Sequence, residues 1–73
     1  MALKSVYKKP YGDFKIEVLQ RVDAAYIIAP FHAVILVNNG TSEIVYRTGG
    51  PQKYLLDAIL DGFRMLPNVQ RFP

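Results

Sequence analysis

Residues 51–66, PQKYLLDAILDGFRML, carry the one long helical period in the chain. Leu55, Leu56, Ile59, Leu60, Phe63 and Leu66 recur at i, i+3, i+4 and i+7, the spacing that gathers side chains on one face of an α-helix. Asp57, Asp61 and Arg64 fall on the other face. Pro51 suits a first helical position, where its missing N–H is not needed, and Pro67 is expected to end the helix. So apolar a helix must lie on something, and the strand-like segments before it are the candidates.

Working back from the helix, Gly49 and Gly50 break a strand expected over 43–48, where Ile44 and Tyr46 alternate with Glu43, Val45 and Arg47. Asn38-Asn39-Gly40 reads as a hairpin turn, because Asn and Gly tolerate the positive φ of a type I′ turn. It joins that strand to Ala33–Val37, AVILV, within a strand expected over 33–38. Pro30 interrupts the chain ahead of it, since proline cannot donate to a ladder.

Residues 14–29 allow two readings. Phe14, Ile16 and Val18 alternate with Lys15 and Glu17, the period of a half-buried strand. Val18, Leu19, Val22, Tyr26 and Ala29 also match a helical stripe that Asp13 would cap and Pro30 would end. Ile16, Ile27 and Ile28 on the would-be polar face favour strand. The expected fold is therefore α+β: an antiparallel meander of three to four strands, about 14–20, 25–29, 33–38 and 43–48, with the 51–66 helix across one face. The alternative is α-β-β-α, with 14–29 helical. Residues 1–13 read as a basic arm, in which Leu3–Tyr7 is either a short edge strand or flexible, and Pro10 to Asp13 make a turn. Residues 67–73 read as an extended tail.

With 73 residues the chain makes one small domain with a marginal core. Domains of this size often add disulfides, a metal or a partner chain. The absence of cysteine excludes disulfides and thiolate chemistry. With one histidine, no metal or other cofactor is expected. No signal-like apolar run opens the chain. The longest apolar stretch, Ala24–Val37, is too short to span a bilayer. A soluble cytoplasmic protein is expected. Both faces of Ala33–Val37 are apolar, yet one helix covers one face of a sheet, so a homodimer is the preferred assembly.

The net charge is +3 and it is local. Residues 1–15 hold Lys4, Lys8, Lys9 and Lys15 against Asp13, a net of +3; the five basic and five acidic groups that follow cancel. The lysines interleave with Tyr7, Tyr11 and Phe14. Lysines pair with phosphates and aromatic rings stack on bases, so Lys4, Tyr7, Lys8, Lys9, Tyr11 and Lys15 are the candidate nucleic-acid contacts. Lysine reads bases less well than arginine, so the binding expected is single-stranded or weakly sequence-specific. The competing explanation is a wet strand edge that resists aggregation.

Two further features have ordinary explanations beside functional ones. Gly49, Gly50 and Lys53 lead into the helix and would form a weak anion site at its N-terminus, or only a turn that needs glycine. Tyr54, Ala58 and Met65 make a second, smaller stripe beside Gly62, either a partner interface or the rim of the core. No enzyme is expected. Neither Ser5 nor Ser42 lies in a nucleophile motif, His32 stands alone at a strand boundary, and Asp57 and Asp61 read as a solvated pair. The functional expectation is a non-enzymatic, homodimeric nucleic-acid-binding module. The alternative is a protein-interaction module, such as an inhibitor or assembly subunit, using the helix or the open sheet face.

Overall fold

A computed structural model describes residues 3–22, 28–38 and 45–70. Four antiparallel strands, β1 (Leu3–Tyr11), β2 (Phe14–Arg21), β3 (Phe31–Val37) and β4 (Val45–Thr48), form one sheet in chain order. One helix, α1 (Leu55–Gln70), packs on one face. The fold is α+β, an antiparallel meander with a C-terminal helix, and 14–21 is strand, not helix.

The sheet begins earlier than the sequence suggested. Residues 3–11 are not an arm but β1, paired along its whole length with β2 from Leu3↔Arg21 to Tyr11↔Phe14. The two-residue loop Gly12-Asp13 joins them. Gly12 has φ +64°, the first-position geometry of a type II′ hairpin turn, which glycine supplies without strain. A register shift between Ser5 and Tyr7 puts a bulge in β1. Of the strand expected over 25–29, residues 25–27 lie outside the described residues, and 28–29 form a bend. The Asn39-Gly40 turn also lies outside them. The antiparallel partner it was to bring back is present as β4.

Alternation sorts the sheet's two faces. Phe14, Ile16 and Val18 of β2, with Phe31, Ala33 and Ile35 of β3, point toward α1. There Ile16, Val18, Ala33 and Ile35 are fully buried with Ala58, Met65 and Val69 of the helix. Lys15, Glu17 and Leu19 of β2 and His32, Val34 and Leu36 of β3 point away. Val34 and Leu36 are nevertheless only 6% exposed. The far face is therefore closed at these positions within a single chain, which removes the argument for a twin subunit covering it.

The helix starts and ends later than its sequence pattern. Gln52 exchanges both backbone hydrogen bonds with Phe31, its N–H donating to Phe31 O at 2.6 Å and its O accepting from Phe31 N at 3.1 Å. That bridge holds residue 52 extended against β3, so the first helical turn waits until Leu55. At the other end α1 runs through Pro67. Proline removes one helical hydrogen bond and costs about 3 kcal/mol in a helix interior. The compensation is one turn of further burial, with Val69 almost wholly enclosed. Residues 67–70 are thus helix, not an extended tail.

The buried face is also rotated from the leucine stripe. Ala58, Gly62, Met65 and Val69 form its centre, Leu55, Ile59 and Leu66 its half-buried flank, and Leu56, Leu60 and Phe63 lie exposed. The cause is a close approach. A Cβ built on Gly62 would lie 2.6 Å from Ile16 Cγ2, so the helix rests its glycine directly on β2.

Gly62→Ala is expected to destabilise the protein by about 1–3 kcal/mol through overpacking, even though alanine gains roughly 1 kcal/mol of helix propensity. In urea titrations its cost should shrink when combined with Ile16→Ala. Additive costs would mean that the two sites do not touch.

Candidate nucleic-acid interface

The candidate contacts sit on β1, an edge strand, and register decides which way each points. Lys4, Tyr7, Lys9 and Tyr11 pair with Gln20, Val18, Ile16 and Phe14, the residues that face α1. Lys8 pairs with Glu17 on the far face. Lys4, Lys8 and Lys9 are exposed and Tyr7 and Tyr11 half-buried. Lys15 is placed differently. It belongs to β2, opposite Leu36, and only 9% of it is exposed, so it does not share the exposed basic edge.

The two tyrosines are engaged with the rest of the fold. Their hydroxyl oxygens lie 3.3 Å apart, and either can donate. The Tyr11 ring meets Phe63 edge-to-face, with centroids 5.1 Å apart. Lys9 Nζ stands 5.8 Å from the Tyr11 ring centre, within cation–π range. The hydrogen bond with Tyr7 pushes the Tyr11 phenol up to about 12, and loss of solvent and the Tyr7 charge add to it. β1 thus presents Lys4 and Lys9 on the face of a fixed aromatic pair and Lys8 on the other face of the same edge.

The glycine turn of the anion-site candidates Gly49, Gly50 and Lys53 is tied to β3. Gly49 N–H donates to Ala33 O at 2.7 Å, and a Cβ at Gly49 would lie 3.6 Å from Met65 Cε. Gly49 therefore abuts the third turn of α1, while Gly50 faces open space. Lys53 is exposed and stands over the Tyr54 ring, 5.4 Å from its centre. What gathers beside Gly49 and Gly50 is a groove lined by Arg47, Asp61, Arg64 and Asn68. The helical period alone puts Asp61, Arg64 and Asn68 on one face, and the packing of α1 beside β4 adds Arg47. Asp61 accepts from Gln52 Nε2 and lies 3.6 Å from Arg64 Nη1, so its charge is already partnered.

The proposed interface stripe divides in the same way. Ala58 and Met65 are core residues under the helix and are closed to a partner, whereas Tyr54 is exposed. His32 faces away from the helix in a shallow groove with Leu3, Arg21 and Thr48. Among the described residues, no three histidines or carboxylates come together as metal ligands. None of the helices among them is long and apolar enough to cross a membrane.

Compared with known proteins, the chain matches no family model, no curated protein and no solved structure.

Because the folded protein holds the Tyr11 phenol above its ordinary value of 10, the neutral pair adds stability fully below pH 10, and that contribution is lost as pH rises through about 12. Tyr7→Phe should move the Tyr11 midpoint back toward 10, read from its ring carbon shifts by NMR. An unchanged midpoint would show that the two hydroxyls are not bonded.

Proposed function

We propose that the chain is a non-enzymatic module that binds single-stranded nucleic acid along β1, with little sequence preference. The observation that carries this reading is the placement of Lys4, Lys8 and Lys9 on one exposed edge strand, beside Tyr7 and Tyr11. A phosphate backbone running along that edge meets all three ammonium groups. Such contacts position a strand without reading its bases. Tyr7 and Tyr11 keep part of their surface open, and a base can stack on that part, although Phe63 and Lys9 already occupy Tyr11. Glu17 opposes Lys8 across the ladder and moderates the field on the far face.

Fluorescence anisotropy of a labelled oligonucleotide tests the reading. Three lysine–phosphate contacts predict a slope of about −2 in log K against log salt for a single strand. Lys8→Glu with Lys9→Glu should lower affinity about tenfold or more and flatten that slope. Absence of binding at low salt would refute the proposal. The lysines would then serve to keep an open strand edge from pairing with other chains.

A further inference from the structure

We infer that the exposed stripe of α1 is the seam of a homodimer in which two copies of the helix pack antiparallel, with Leu60 at the two-fold axis and Asp57 of each copy against the partner's Arg64. Leu56, Leu60 and Phe63 are 66%, 41% and 41% exposed, and they stand at i, i+4 and i+7 on the helix side opposite Ala58 and Met65. The sheet meets this side only at Phe63, whose ring touches Tyr11, because Gly62 seats the helix on Ile16 in the other rotation. Three large apolar side chains in one solvent-facing row are what a facing helix covers.

Charge selects the occupant and its direction. Asp57 and Arg64 are seven residues apart, close to two full turns, so both flank the stripe on the same side. They lie about one turn before and one turn after Leu60. In a parallel pair the two-fold runs along the helices and puts the flank that carries Asp57 and Arg64 on opposite edges of the seam, so neither charge meets its own kind or its opposite there. In an antiparallel pair centred at Leu60 they exchange. Asp57 then reaches the level of the partner's Arg64 and, by symmetry, the contact occurs twice. Both are exposed, and Arg64 has 76% of its side chain in solvent despite its approach to Asp61. The surface is thus complementary to itself, apolar along the middle and oppositely charged at matched heights.

The same two-fold also arranges the sheets. Phe63 lies toward the opposite flank from Asp57 and Arg64, and it touches Tyr11 at the end of β1. An antiparallel two-fold keeps like flanks together, so both β1 strands come to one side of the dimer. The inference goes beyond the nucleic-acid reading and does not rest on it, because mass is measured without an oligonucleotide.

Sedimentation equilibrium of the full chain should give twice the chain mass. Leu60→Lys should give the single mass with an unchanged far-ultraviolet circular dichroism spectrum. Asp57→Arg should weaken association about tenfold or more by setting like charges opposite each other. Adding Arg64→Glu to Asp57→Arg should restore association. A single mass for the unaltered chain at every concentration would overturn the inference. So would a dimer indifferent to Leu60→Lys and Asp57→Arg, or a failure of the paired charge exchange to rescue.

Discussion

The seat of Gly62 on Ile16 is the contact on which the rest of the arrangement depends. A residue without a side chain lets the helix backbone descend onto β2. Once it is there, the helix cannot rotate without driving a larger group into Ile16. That fixed rotation puts Ala58, Met65 and Val69 over the sheet and sends Leu56, Leu60 and Phe63 outward. It also places Met65 against Gly49 and carries Asp61 and Arg64 beside Arg47. Small residues decide which large ones are buried.

This explains how the helix was legible in the sequence and its orientation was not. The period of Leu55, Leu56, Ile59, Leu60, Phe63 and Leu66 marks a helix correctly, but a hydrophobic pattern weighs size. Ala58 and Gly62 contribute little to it, yet they set the approach. Leu55, Ile59 and Leu66 lie on the border of both faces, so they fit either rotation. The helix ends are set by contacts that the period does not carry. Gln52 is held by backbone bonds to a strand distant in sequence, and Pro67 is tolerated because Val69 gains burial beyond it. The alternation that marks β2 is plain, and the meander follows from it. β1 was harder to see, because an edge strand needs fewer apolar residues and its lysines resemble a flexible arm.

The candidate site was legible in composition but not in grouping. Lys4, Lys8 and Lys9 are close in sequence, and the strand keeps them close in space. Lys15 is close to them in sequence, but the hairpin at Gly12 turns the chain back and places it on the neighbouring strand, nearly buried. Tyr54 is exposed, while Ala58 and Met65, which share its stripe in the sequence, are core residues. Of the Arg47, Arg64 and Asp61 groove, the helical period shows Asp61 beside Arg64, and only packing brings Arg47 to them.

The order of the strands bears on how the polypeptide acquires its shape during synthesis. Each strand pairs with the one made immediately before it. The sheet can therefore zip together as the ribosome delivers it, without waiting for a distant segment to close a loop. The helix emerges after the sheet. Until it docks, Ile16, Val18, Ala33 and Ile35 stand uncovered on a nascent sheet, the condition in which half-made proteins adhere to one another. In that interval β1 guards one edge of the sheet against pairing. Its bulge and charged border, with Pro10 in it, make a poor template for a stray neighbour.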